Sequence, residues 1–418
     1  MIDEFHYQNG ELYAEDLPVA ELSRKYGTPL YVYSRTHFQR QYRAMAEAMH
    51  ELDPLICFAV KSNTNAAVIN AFSNEGAGAD VVSGGEIFRA KTAGIRTDRI
   101  VFAGVGKTLS EIEYGLREGI LCFTVESEPE LTRISECAVR LGRNARVDIR
   151  VNPDVDPKTH KYTSTGKKEN KFGVDLERAL RAYEQAAELP NIEIVGMHMH
   201  IGSPIMSVQP YAEALKKVVP ICRQLQKLYP TFQHIDIGGG LGISYQPDEA
   251  PFDLQAFSDT VRPLLKDLGL KVIMEPGRFL TGNGGILVTE VQYVKDGPFK
   301  KFVVIDAAMN DLVRPALYQA YHHVIPVRQT SEWLFGDLVG PVCESGDFFA
   351  QDRKLPAVRQ GDKLAILGAG AYGFVMASTY NSRGRPAEVM VANHHAEVVR
   401  SRETWEDLIR GEQTPPWP

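Results

Sequence analysis

Between residues 55 and 278, short runs of apolar and β-branched residues alternate with longer stretches whose apolar positions recur at helical spacing. The runs cover 55–60, 79–82, 100–103, 121–125, 147–151, 192–200, 234–237 and 271–274. Among the intervening stretches, Ser127-x-x-Glu130 reads as a capping box with Pro129 in the first turn, followed by a stripe of Leu131, Ile134, Ala138 and Leu141 and a stop at Gly142. Leu176, Leu180, Tyr183 and Ala187 form a second such stripe. Eight strand and helix alternations in about 220 residues fit a (β/α)8 barrel better than an open doubly wound sheet.

Past Arg278 the pattern changes to alternating strands at 286–294, 301–305 and 363–367, broken by Gly, Pro and Asp turns. The β-rich run GTPLYVY at 27–33 has no helix pairing it to the barrel, so it is expected to join those strands. The expected architecture is α/β plus all-β: a (β/α)8 barrel over 36–280, followed by a sandwich or barrel-like β domain built from 281–418 with 1–35. The polar segment 152–173, rich in lysine, is expected to be a loop over the barrel mouth; a solvated loop with no catalytic part is the alternative.

Composition narrows the function classes. Lys plus Arg number 46 against 53 Asp plus Glu, a net charge of −7, and no run of like charge is long enough to follow a phosphate backbone. Neither nucleic acid nor an anionic membrane is expected as a partner. The polar start MIDEFHYQNG does not resemble a secretory signal, and no apolar stretch approaches the roughly 20 residues of a membrane helix, so a cytoplasmic protein is expected. Of the five cysteines, Cys57, Cys122, Cys137 and Cys222 lie in apolar periodic segments and read as small core residues, whereas Cys343 lies in a Pro- and Gly-flanked loop.

Two nucleotide motifs are misleading. Gly368-Ala-Gly370-Ala-Tyr-Gly373 fits GxGxxG, but Asn381, Gly384 and Pro386 interrupt any following helix and the motif falls among β strands. Gly104-Val-Gly106-Lys107-Thr108 mimics the end of a phosphate loop, but Val101 stands where its first glycine belongs.

Barrel chemistry sits at the carboxyl ends of the strands. The first strand ends at Lys61, the second at Asp80 and Ser83, the sixth at His200 and Ser203, the seventh at Gly238-Gly239-Gly240 and the eighth at Glu275-Pro-Gly-Arg278. A lysine ending an apolar strand is ordinarily a snorkelling end-cap. In this company it can instead form a Schiff base with an aldehyde cofactor, of which pyridoxal 5'-phosphate is the common one. The glycine turn after strand seven would bare backbone N–H groups for its phosphate, and Glu275 would keep its ring nitrogen protonated, favouring carbanion chemistry. Of His198 and His200, only one is expected to face the mouth; His200 is placed as a ring-stacking neighbour, and no metal site is expected.

The motifs FAVKSN, HMHIGS, DIGGGLG, EPGR, GPVCESGD and GAGAYG, in that order, together with MNDLVRPALYQAYH at 309–322, resemble the diaminopimelate decarboxylases, of the alanine racemase and ornithine decarboxylase fold type, over essentially the whole chain. The resemblance implies loss of carbon dioxide from meso-2,6-diaminopimelate to give L-lysine. It implies Lys61 as the Schiff-base residue, His200 on the ring, Glu275 at the ring nitrogen, and Ser203, Gly239, Gly240, Gly277, Arg278 and Tyr372 on the phosphate side. It further implies Arg278, Arg314, Tyr318, Glu344 and Tyr372 as substrate contacts, and Cys343 as the proton donor to Cα, supplied across a homodimer with shared active sites. The substrate's distal end carries a carboxylate and an ammonium, which suit arginine and Glu344 respectively. The rivals are a decarboxylase of another amino acid or a racemase on the same fold, and a non-catalytic cofactor-binding homologue. A racemase would want arginine at the ring nitrogen, and a silent homologue should lack Lys61 or Cys343.

Overall fold

The computed structural model describes residues 2–156 and 171–417. Most of the loop expected over the barrel mouth therefore lies outside the described residues. The chain divides into two units: Phe38–Ser244 with Ala250–Leu280, and Met1–His37 with Tyr245–Glu249 and Thr281–Pro418.

In the first unit, all eight expected strands form: Leu55–Ala59, Gly78–Val81, Ile100–Phe102, Cys122–Val125, Ala145–Asn152, Ile192–His198, His234–Asp236 and Lys271–Met274. Each pairs in parallel with its neighbours, and Lys271–Met274 pairs with Leu55–Ala59, so the sheet closes into a barrel without a free edge. Leu55, Cys57, Val101, Cys122, Val195 and Ile273 pack together as one buried cluster. Burial of side chains of this kind stabilises by roughly 1.5–3 kcal/mol each for the larger ones.

Helix details depart from the periodicity in two places. Ser127 begins the helix Glu128–Leu141 but makes no side-chain cap. Glu130 is drawn away to Lys107 Nζ at 2.8 Å and to the N–H of Glu126 at 2.7 Å, which serve it better than the helix end. A full capping box forms instead at Thr108 and Glu111, opening Leu109–Glu118. In Leu176–Glu188 the buried stripe is Ala179, Ala182, Tyr183 and Ala186, rotated by one position from the expected one, and Ala187 is exposed. Tyr183 is common to both stripes, and its hydroxyl donates to Gly196 O at 2.8 Å.

In the second unit, the long strand Gly285–Asp296 organises the sheet. Its first half pairs antiparallel with Leu30–Ser34 and Lys363–Ile366, its second half with Lys301–Ile305. The N-terminal run thus joins the β unit, lying between Gly285–Asp296 and a parallel partner, Ala387–Ala392. Leu30, Val32, Ile286, Val288, Ala365, Val389 and Val391 face one buried core. The GxGxxG segment follows Lys363–Ile366 and leads into a single 3-10 turn, Phe374–Met376, so it opens no βαβ unit. Among the described residues no helix is long and apolar enough to cross a membrane.

Candidate active site

In the barrel unit the chemistry gathers at the strand ends, as the connectivity demands. Lys61 sits in the 3-10 turn Val60–Ser62 directly after the first strand and pairs with Asp80 at the end of the second. Asp80 is fully buried; burial, then the charge of Glu275, pushes its carboxyl up to about 6 despite the lysine. The N–H of Ala59 donates to Pro276 O at 3.1 Å, tying the lysine turn to the EPGR segment.

Glu275 ends the eighth strand and is 5% exposed. Burial would raise its carboxyl, but the charge and hydrogen bond of His198, followed by the charge of Lys61, hold it down at about 2. His198 Nε2 donates to Glu275 Oε2 at 3.0 Å. The expectation that only one of the two histidines faces inward therefore fails: side chains two positions apart on a strand share a side, and His198 reaches the interior while His200 lies past the strand end. Glu275 Oε1 is buried with no partner among the described residues. Asp236 lies with His198 and Glu275, their ligating atoms within 4.8 Å of one another, and burial and then Glu275 push its carboxyl well above the usual range.

The glycine turn is tighter than its sequence suggests. The N–H of Gly238 donates to Asp236 Oδ1 at 2.7 Å, and that of Gly239 to His200 Nδ1 at 3.2 Å. Among the described residues only the Gly240 N–H of the three lacks an acceptor. His200 accepts at Nδ1, so it is neutral there, and burial, then Arg150, drives its pKa well below the usual value. A Cβ on Gly239 would stand 2.0 Å from Glu275 O, and one on Gly240, where φ is +98°, would stand 2.1 Å from Gly202 O. Tyr211 pins the turn from below, its hydroxyl donating to Gly239 O at 2.9 Å. Arg278 is buried, with Nε 3.5 Å from Ser203 Oγ, and Gly277 packs its Cα against Ala59 and Ser62.

The barrel residues suit pyridoxal phosphate on their own terms. A buried carboxylate oxygen left without a donor costs about 1–3 kcal/mol, and a protonated ring nitrogen is the donor that would relieve Glu275 Oε1. The free Gly240 N–H, the side-chain-less turn and the Lys61 amine complete the donor set that a phosphorylated aldehyde needs.

The remaining expected residues belong to the β unit. Arg314, 6% exposed, opens the short helix Arg314–Tyr318 and is no surface residue. Its Nη1 donates to His322 Nε2 at 2.9 Å, while His322 Nδ1 donates to Leu367 O at 2.8 Å, which fixes the imidazole as an acceptor towards the arginine. The guanidinium also lies 4.8 Å from the Tyr245 ring centroid. Tyr318 is half-buried at the end of that helix, and half-buried Tyr372 takes a left-handed φ of 55°.

Cys343 and Glu344 are both exposed. Their loop is nonetheless well held: buried Asp347 accepts from the N–H groups of Val342 at 2.7 Å and Met309 at 2.6 Å. Cys343 N–H donates to Asn381 Oδ1 at 2.9 Å, and Tyr380 Oη donates to Glu344 Oε2 at 2.7 Å. The other four cysteines are buried and all five are free. Lys107, from the false phosphate loop, is consumed by Gly104 O, Thr124 O and Glu130.

Sequence reading missed His198, Asp236, His322 and Asp347, the partners that orient the expected residues. The HMH alternation and the Asp of DIGGG carried a signal for the first two. His322 and Asp347 had none, because their roles depend on contacts that spacing does not reveal.

Residues 35–282 match the family model of the pyridoxal-dependent decarboxylase pyridoxal binding domain. Diaminopimelate decarboxylase of Aquifex aeolicus is 48% identical over 404 residues, 96% of each chain. The crystal structure of diaminopimelate decarboxylase from Helicobacter pylori complexed with L-lysine superposes with a TM-score of 0.90 at 43% identity, covering 94% of this chain and 98% of that one. The corresponding M. jannaschii co-complex with L-lysine gives a TM-score of 0.94 at 39% identity, covering 99% and 98%.

Proposed function

The chain belongs to the diaminopimelate decarboxylases, and from that premise we propose how its own residues divide the work of converting meso-2,6-diaminopimelate to L-lysine and carbon dioxide, the reaction that closes lysine biosynthesis. Bound pyridoxal phosphate supplies the electron sink for the pair left at Cα when carbon dioxide departs. Lys61 holds the cofactor through its amine, and His200, neutral, covers the ring face without adding charge. Glu275, kept ionised by His198, holds a proton at the ring nitrogen. The Gly240 N–H, with Gly239, Ser203, Gly277, Arg278 and Tyr372, takes the phosphate side.

Arg314 and Tyr318, with Arg278 and Tyr372, serve the substrate's distal carboxylate, and Glu344 its distal ammonium. An arginine clamped on the departing carboxylate would stabilise the ground state and slow its loss, so the guanidinium belongs at the other end. Cys343 returns a proton to Cα. Its exposure and its firmly held loop support a donor offered to a second copy of the chain, in a homodimer with shared active sites. The free thiols fit a reducing compartment, and we place the enzyme in the cytoplasm.

The observation that carries this reading is the ionised, buried Glu275 with one oxygen still seeking a donor. The test is carbon dioxide release from meso-diaminopimelate, ornithine, arginine and lysine offered separately to holoenzyme. Release from meso-diaminopimelate alone is expected; comparable release from ornithine or arginine overturns the substrate assignment.

A further inference from the structure

The barrel has a second opening, at the end where its strands begin. A cavity of about 360 Å³ lies there, lined by Asp53, Arg99, Arg146, Gln233, His234 and Lys271 among others. Arg99 and Gln233 immediately precede the third and seventh strands, and His234 and Lys271 start the seventh and eighth. The volume lies within the range of small-molecule pockets, about 300–1,000 Å³.

The charges around it do not balance. Three cations face one acid. Lys271 Nζ is 2.6 Å from Asp53 Oδ2, so those two satisfy each other. Arg146 Nε is 4.0 Å from Glu193 Oε1, at the outer limit of an ion pair. The Arg99 guanidinium makes no hydrogen bond or ion pair with any described residue, and its Nε is shielded from water with no acceptor. On the inner wall His234 Nε2 lies 3.0 Å from Asp148 Oδ2, and no ion pair joins that buried acid to Arg99. A guanidinium with a dry, unpaired N–H at the wall of a cavity is a ready partner for an oxyanion, which can meet it in bidentate fashion.

We propose that this floor of the barrel binds a small carboxylate or phosphate anion, held by Arg99 and Arg146 with the Gln233 amide beside them. Barrel chemistry sits at the other end of the strands, so the bound anion takes no part in catalysis. The first and eighth strands, whose far ends carry Lys61 and Glu275, start at its rim.

Calorimetric titration of holoenzyme with inorganic phosphate and, separately, succinate, at an ionic strength fixed with potassium chloride, tests this. Using holoenzyme keeps the cofactor's phosphate site filled. At least one anion is expected to show a saturable site that Arg99→Gln weakens about tenfold or more, with kcat and KM for meso-diaminopimelate unchanged and with the site retained in Arg314→Ala. Binding of phosphate only, or succinate only, names the anion the floor prefers. Binding equal in Arg99→Gln and wild type, or lost in Arg314→Ala, overturns the proposal, as does the absence of saturable binding of either anion.

Discussion

Glu275 shows how a buried carboxylate is kept ionised: one oxygen takes the His198 N–H at 3.0 Å, Lys61 adds positive potential, and these together outweigh burial. The amide in Glu275→Gln can keep the histidine bond but cannot supply charge to a ring nitrogen. Turnover should therefore fall by at least about thirtyfold, or about 2 kcal/mol of transition-state stabilisation, while cofactor affinity changes far less. Stopped-flow turnover beside equilibrium cofactor titration checks this, and an unchanged kcat would refute the electron-sink role. Arg314 is oriented by His322 and stacked near Tyr245, so its cost of ordering is already met. Removing it in Arg314→Ala should raise KM for diaminopimelate strongly, since a hydrogen bond to a charged group contributes about 1.5 to 3 kcal/mol. Inhibition by L-lysine, which keeps the distal carboxylate, should weaken in parallel, whereas inhibition by cadaverine, which lacks it, should not. Equal loss for both would contradict the assignment. At this scale the sequence made Lys61 and Glu275 legible because strand ends of a barrel can be counted off. His322 was not legible, since its hold on Arg314 depends on a second hydrogen bond, to Leu367 O, 45 residues away.

The elements that position these residues were largely readable, and where they were not the reason is packing. A capping box is a local pattern, and Ser127 with Glu130 has it, yet Lys107, 23 residues earlier, outbids the helix end for the glutamate. In Leu176–Glu188 the buried stripe takes Ala179, Ala182 and Ala186 in place of Leu180 and Ala187, with Tyr183 common to both. The glycine turn after strand seven was legible as a turn but not as a crowded one. With its Cα facing Glu275 O, Gly239 has no room for a methyl group: a Cβ would stand 2.0 Å from that oxygen, which belongs to backbone and cannot swing aside. Gly239→Ala must therefore shift either the turn or the strand that carries Glu275. The expected result is a folded protein whose cofactor dissociates at least about tenfold more readily, because a displacement of this kind misaligns several hydrogen bonds of about 1 kcal/mol each. Cofactor titration followed by absorbance, with circular dichroism to verify the fold, measures it; unaltered affinity would show that the turn does not hold the phosphate.

For the whole molecule, the outstanding question is which chain supplies each part of one active site. Cys343 and Glu344 are exposed on a loop of the β unit anchored by Asp347, while Lys61 follows a strand of the barrel unit. A donor thiol exposed on a fixed loop suits a neighbour's substrate, and two-fold symmetry would then build each site twice over from both chains. Lys61→Ala and Cys343→Ala homodimers should each be nearly inactive. In a mixed dimer the intact Lys61 of one chain meets the intact Cys343 of the other, so one of its two sites is wholly native. Random equal mixing makes about half of the dimers mixed, and each has one good site in two, so about 25% of wild-type activity should return. If both residues served the site of their own chain, every site in the mixture would carry one lesion and co-refolding would restore nothing. Recovery no higher than the sum of the two single variants therefore rejects the shared site, whereas recovery near a quarter requires that Lys61 and Cys343 meet across the two chains.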